Sequence, residues 1–348
     1  MHEGGYKLGR RPALDGLRAV AVLAVIASHA TVPLMVGAGT VGVTVFFVLS
    51  GFLITQLLLE ERHGRGRINL RAFYLRRLRR LLPALVVFLT VVSVTMAAAH
   101  LPLWPVLTAL TYTSNLTSYV SDGTLPAGGR YSMLGHTWSL SLEEQFYLVW
   151  PLVLIWFGRV RPRALAPAIG LAIALVTVNR AVLLLEGEPL ARVFFAPDAR
   201  ADALLAGCLL AVLMRDVARH RLGPAATLGS LVLVGCFPFD QHALVFLLVP
   251  ITMASVVVVA WAATRTTGGL LGSRPAIGLG RISYGMYLWH YPPAITMVAF
   301  GVPWWANLVA TVTVSLSVAS LSRRCIELPF VSAKSPSLQG GAARAVRA

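Results

Sequence analysis

Ionisable side chains interrupt the apolar runs of this chain at Arg18 and His29, at Glu143 and Glu144, and at Asp202 and His290. Such groups are costly at membrane depth and by default mark function. Arg18 and His29 are eleven residues apart, which at 100° per residue is three turns on nearly one face, roughly 16 Å along the axis. One helix then presents a cation near the cytoplasmic surface and an imidazole close to mid-membrane. The imidazole can act as a general base, and the arginine can hold a phosphate group of a cytoplasmic donor. The plainer readings are an Arg18–Asp15 pair at i, i+3 and a core histidine satisfied by Ser28 or Thr31.

Glu143 and Glu144 open another apolar run and, being 100° apart, face different partners. A carboxylate near His29 would orient its ring and stabilise the cation formed on proton abstraction. The plainer reading is acidic residues in a helix's first turn. Ser283, Tyr287 and His290 share a face and suit an acceptor route, although the neighbouring aromatic residues also suit interfacial anchoring. The arginines of Arg76-Arg77-Leu78-Arg79-Arg80 fit either positive-inside anchoring or a site for anionic phosphates.

The elements that must position these groups are membrane spans. Charged residues make up 13% of the chain and apolar residues 57%, with a positive mean hydropathy, whereas a soluble domain carries about a quarter charged residues. The spacing predicts an all-α, polytopic fold of about ten spans: 14–36, 39–59, 81–101, 137–157, 164–184, 201–214, 222–237, 243–263, 282–300 and 305–321. With the N-terminus inside, the lysines and arginines fall on the cytoplasmic side, except Arg130, Arg180, Arg192 and Arg200 outside and Arg18 within a span. That asymmetry predicts both termini in the cytoplasm. Residues 103–120 are apolar but rich in Thr, Ser and Asn, and are expected as a re-entrant or surface helix lining a cavity, because an eleventh span would put Arg159, Arg161 and Arg163 outside. Residues 69–82, with Asn69 as N-cap, read as a helix lying on the inner face. The domain plan is a cytoplasmic segment 1–12, a membrane domain 13–330, and a disordered cytoplasmic tail 331–348 rich in Ser, Ala and Gly.

The net charge of +16 does not form an aromatic-laced basic face, so nucleic acid is not an expected partner. Cys208, Cys236 and Cys325 are widely spaced without a CxxC, which indicates neither disulfides nor zinc, and no metal site is expected. Arg18 and His29 within the first run argue against a cleaved signal peptide. His2, His63, His100, His136, His220 and His242 read as surface groups.

Taken together, these residues resemble the acyltransferase 3 family of bacterial membrane O-acyltransferases. The likeness runs from Asp15-Gly16-Leu17-Arg18 with His29, through Gly42–Ile54, the arginine run ending at Pro83, and Trp138-Ser139-Leu140-Ser141-Leu142-Glu143, to Arg200-Ala201-Asp202 before Gly207 and Ser283-Tyr284 through His290. It covers residues 12 to 330 in the family's order. The resemblance implies that Arg18 and His29 form the family's Arg-x10-His motif, that Glu143 is the acid of the Trp-Ser-Leu-Ser motif, and that Arg76 and Arg77 belong to its cytoplasmic arginine motif. Glu144 matches a more variable place. The chain stops before an esterase-like domain could begin, so the stand-alone form is expected.

On this resemblance, acyl-CoA, expected to be acetyl-CoA, is a co-substrate, and no permanently bound cofactor is implied. Arg18, Arg76, Arg77 and Arg80 are expected to hold it. His29, oriented by Glu143, is the expected base, and Ser283, Tyr287, His290, Arg200 and Asp202 are expected to meet the acceptor. That acceptor is a cell-surface carbohydrate or glycolipid, and the setting is the bacterial cytoplasmic membrane with its lipid. A secreted natural product such as a macrolide is the alternative acceptor. A multi-pass transporter is the alternative class, disfavoured because no half-pattern repeats along the chain.

Overall fold

The computed structural model describes residues 9, 11–120, 133–214, 222–265 and 269–332. Outside them lie Lys7, Arg10, Arg130, Arg215, Arg219, Arg221, Lys334, Arg344 and Arg347 of the charge pattern, together with His2, His220 and most of the expected tail.

The main helices are α1 (Pro12–His29), α2 (Ala38–Arg65), α3 (Leu70–Ala98), α6 (Thr137–Val160), α7 (Leu165–Leu185), α10 (Asp202–Leu213), α11 (Leu222–Gly235), α12 (Gln241–Thr264), α13 (Arg274–Trp289) and α15 (Trp304–Ser322). Short helices join them: α4 (Trp104–Leu110), α5 (Ser114–Val120), α8 (Leu190–Phe195), α9 (Pro197–Arg200), α14 (Tyr291–Ala299) and α16 (Leu328–Ser332). No strand occurs among the described residues. Among the described residues six helical segments are long and apolar enough to cross a membrane, and α10 and α11 are shorter apolar helices. Leu171, Leu175 and Val178 on α7, and Leu228 and Leu231 on α11, are exposed, as a surface solvated by lipid requires. The protein is an all-α, multi-pass membrane protein.

The largest core cluster joins α1, α2, α10, α12 and α13. Backbones approach closely where glycine removes the side chain. A Cβ on Gly51 of α2 would stand 1.9 Å from the Leu204 carbonyl oxygen, and one on Gly207 of α10 2.1 Å from that of Val48. Gly280 of α13 meets the Asp15 carbonyl of α1 in the same way. At one end of the bundle Arg62 donates to the Gly158 carbonyl (2.5 Å) and Arg323 to that of Arg281 (2.5 Å). At the opposite end Gly37 N–H donates to the Phe237 carbonyl (2.7 Å). Arg62, Arg281 and Arg323 thus lie at the end away from His29, whereas Arg200, bonded to Thr44 near the start of α2, does not.

Several expected boundaries move. The first span ends at His29, not at residue 36: Thr31 and Leu34 take left-handed φ angles of 58° and 62° and Pro33 follows, so the chain turns. His29 is therefore the last residue of α1, nearer its far end than its middle. The predicted inner-face helix is no separate element. Asn69 does cap it, accepting from Ala72 N–H at 3.0 Å, but the helix runs unbroken through Pro83 into α3. The ninth span is divided at His290, because Pro292 and Pro293 have no N–H to give to the carbonyls of Leu288 and Trp289. Residues 103–120 form α4 and α5, each too short to span. Their polar groups bond α6: Ser114 to Ser141 (2.7 Å), and Asn115 to Gln145 in a reciprocal amide pair (3.2 and 2.9 Å). α16 carries helix into the start of the expected tail.

Candidate active site

A cavity of about 520 Å³ opens between α1, α2, α3, α6 and α13, within the roughly 300–1,000 Å³ usual for small-molecule sites. Arg18, Arg76, Arg77, Arg79 and Arg80 line it beside Glu143 and Glu144, so cations outnumber carboxylates. Phe46, Phe47 and Ile54 supply apolar wall, and Ser139, Ser283 and Tyr287 supply hydroxyls. Such a hollow suits a ligand with an anionic head and a slender arm.

The arginines differ in their commitments. Arg77 donates to Glu144 at 2.6 Å, and its guanidinium lies 3.5 Å over the Tyr147 ring. Arg76 reaches Glu61 at 3.4 Å. Arg18 and Arg80 enter no ion pair within 4 Å among the described residues, and the Arg18 Nε is buried without a hydrogen-bond partner. They are the cations best placed to accept a phosphate. A second hollow of about 590 Å³ lies on the other side of Arg77, between α3, α6 and the turn joining α4 to α5; Arg77, Leu81, Glu144 and Tyr147 line both.

Glu143 accepts hydrogen bonds from the Ser50 and Tyr147 hydroxyls, which tie α2 to α6. Its expected role of orienting His29 is corrected here, because the ring has a different partner. His29 Nδ1 lies 3.0 Å from His290 Nε2, and His290 Nδ1 lies 2.7 Å from the Tyr287 carbonyl oxygen. That chain fixes the tautomers. A carbonyl only accepts, so His290 Nδ1 carries the proton; neutral His290 then accepts at Nε2, and His29 donates from Nδ1. The His29 Nε2 lone pair is left unengaged by that bond, which is the atom a general base needs. His29 is half-buried, and its ring also meets Tyr291 edge-on with centroids 4.8 Å apart.

His136 is also corrected: expected at the surface, it is 2% exposed, at the N-cap of α6. It stacks on Tyr291 (centroids 4.8 Å, interplanar 28°) and meets His290 edge-on at 5.4 Å. Neither of its ring nitrogens has a hydrogen-bond partner. The sequence signal was its position: His136 stands one turn before Ser139 and two before Glu143, both of which line the cavity, although His136 itself does not. Tyr287 joins the two regions. It lines the cavity, its hydroxyl oxygen lies 2.5 Å from Ser139 Oγ and donates to the His136 carbonyl (3.1 Å), and its ring packs on those of His136 and His290. His29 and His290 do not themselves line the cavity; they lie behind Tyr287.

Arg200 and Asp202 stand apart from these groups. Asp202 pairs with Arg180 (2.8 Å), which also donates to the Ala199 carbonyl (3.0 Å). Arg200 is fully buried, donates to Thr44 Oγ1 (3.2 Å) and lies between Phe47 and Phe194. The Arg180–Asp202 pair ties α7 to α10, and Arg200 ties α9 to α2 through Thr44. Ser283 and Tyr287 line the cavity as the shared-face reading expects, whereas Arg200 and Asp202 do not.

Comparison with known proteins gives the chain its relatives. YrhL of Bacillus subtilis, which carries the name of a peptidoglycan O-acetyltransferase, is 35% identical over 92% of this chain and 54% of its own length. The peptidoglycan O-acetyltransferase OatA of Listeria monocytogenes is 32% identical over 92% and 55%, and the O-acetyltransferase OatA of Staphylococcus aureus 31% over 92% and 57%. The chain thus spans little more than half the length of these relatives. No solved structure matches it. The model of the acyltransferase domain family, acyltransferase 3, matches residues 11–323, and the chain belongs to that family.

Proposed function

We propose that the protein is a membrane-embedded O-acyltransferase that moves an acyl group, acetyl in the first instance, from cytoplasmic acyl-CoA to a hydroxyl of a cell-surface carbohydrate such as peptidoglycan. The observation that carries this reading is the chain Tyr287 carbonyl, His290, His29, which leaves a lone pair on His29 Nε2 beyond an arginine-lined cavity. Ten crossings with both termini in the cytoplasm put that arginine end on the donor's side. The CoA phosphates lie among Arg18, Arg80 and the neighbouring Arg76 and Arg77, and the pantetheine arm follows the apolar wall toward Ser139 and Tyr287. Glu143 shapes that wall through Ser50 and Tyr147. The acceptor hydroxyl gives its proton to His29 Nε2 as its oxygen bonds the thioester carbonyl carbon. The C–S bond breaks, and the thiolate leaves and regains the proton from the imidazolium.

The names of the relatives support a glycan acceptor, and the half-buried, unsealed ring of His29 supports its access. Thioester turnover by the purified protein in lipid nanodiscs, with acetyl-CoA and soluble peptidoglycan fragments, tests the reading. Release of free CoA that depends on His29 and rises with glycan is expected. A folded protein that neither binds CoA nor consumes the thioester would overturn it in favour of transport, and turnover only with a macrolide would reassign the acceptor.

A further inference from the structure

His136 has no place in the reaction as derived so far, yet it is buried at the meeting point of the cavity wall and the His29–His290 pair. A neutral imidazole carries one N–H and one lone pair, and buried polar atoms are normally satisfied. In His136 neither is: Nδ1 and Nε2 both lack a hydrogen-bond partner. The Leu288 carbonyl, released by Pro292, offers the ring a weak backbone contact that falls short of a full hydrogen bond. The ring is held chiefly by packing, face-on to Tyr291 and against Tyr287 and Phe88. A polar ring held by apolar contacts, with both polar atoms idle, is arranged for a partner that arrives from outside the protein.

The surroundings identify that partner. His136 and His29 flank the same Tyr291 ring, each with its centroid 4.8 Å away. His136 also shares a face of α6 with Ser139, which lines the end of the cavity. His136 does not itself line the cavity, but it stands between Ser139 at the cavity wall and Tyr291, the ring that His29 also meets. Resting on the acyl-transfer reading above, we propose that His136 is a second catalytic imidazole, whose N–H donates to the acyl carbonyl oxygen and stabilises the negative charge that gathers there as the acceptor oxygen attacks. No proton changes hands at His136. The carbonyl π electrons move onto an oxygen already facing a donor, then return as the C–S bond breaks.

His136→Leu and His136→Gln in nanodiscs, assayed for acetyl-CoA turnover and thermal melting beside the wild type, test this. The leucine variant loses no protein hydrogen bond, so its melting temperature should equal or exceed the wild type's, while kcat falls about 100-fold and the KM for acetyl-CoA stays within about twofold. The glutamine variant keeps an N–H donor and should recover about tenfold over leucine. A leucine variant with kcat within about threefold of wild type overturns the inference, as does one that melts well below it, or a glutamine variant no better than leucine. Wild-type protein that turns over no thioester refutes acyl transfer itself, whereas equal turnover by wild type and leucine variant refutes only the role of His136.

Discussion

At the residue scale, the behaviour of His29 is set by a group on another helix. His290 accepts from His29 Nδ1 only while its own Nδ1 is held by the Tyr287 carbonyl. His290→Leu should therefore lower kcat by about 10–100-fold without changing the KM for the thioester, and His290→Gln, whose amide oxygen still accepts, should retain more of it. Equal kcat in the two variants would show that orientation of His29 is not what His290 supplies. Arg18→Ala should raise the acetyl-CoA KM with kcat little changed, since it removes a contact made equally before and during reaction. These two predictions rest on residues that differ in how visible they are in the sequence. Arg18 and His29 are legible because eleven residues of one helix fix their relation. The His29–His290 bond is not, because 261 residues separate the partners and only tertiary packing joins them. Glu143 shows the same limit: its Tyr147 partner is one turn away and readable, but nothing local tells whether the carboxylate faces His29 or Ser50. His136 was misread because a histidine at the edge of a run usually faces water.

At the element scale, the helices themselves were largely readable from apolar runs and their caps, and the departures have local causes. Pro292 and Pro293 divide the ninth span, and Asn69 begins a helix that does not pause at Pro83. Less readable was that α2 and α10 touch backbone to backbone, since glycine in an apolar helix has many uses. The distances make a firm expectation. Gly51→Ala or Gly207→Ala must push the helices apart and should destabilise the protein by about 1–3 kcal/mol, seen as earlier thermal melting, with the double variant costing less than the sum because one displacement relieves both clashes. The α8–α9 segment offers a pH test. Arg192 beside Asp198 holds that carboxyl below the ordinary aspartate range, with Asn179 also donating to it. A depressed value in the folded state means the contact stabilises fully above the ordinary range, and is lost as the pH falls through the depressed one. Amide exchange in residues 190–200 should accelerate only under such acid conditions. Asp198→Asn should exchange at a rate independent of pH once intrinsic chemistry is corrected, and Asp198 is exposed enough that the effect will be small.

At the scale of the whole molecule, the polarity of the bundle is the testable property. Arg67 lies beyond the end of α2 among the arginines, and Glu188 lies in the exposed connection after α7 at the other end. With Cys325 replaced by serine and Cys208 and Cys236 buried, a cysteine placed at Glu188 should react with a membrane-impermeant thiol reagent in intact cells. One at Arg67 should react only after permeabilisation. The reverse pattern would turn the protein over in the membrane and put the arginine-lined cavity out of reach of a cytoplasmic donor. That the chain is helical and crosses a membrane repeatedly was recoverable from the sequence because lipid acts on every apolar segment independently. Which helices enclose the cavity was not, because that depends on how they pair in three dimensions.

The Arg77–Glu144 pair bears on how any mutagenesis of this protein is to be read. Two hollows press against its opposite sides, and Leu81 and Tyr147 complete the thin panel between them. Trimming Arg77 subtracts a cation and, in the same stroke, knocks a doorway between neighbouring rooms. Loss of activity there would mix electrostatics with leakage of lipid or water from the flank, whereas Arg80, outside that partition, reports on charge alone.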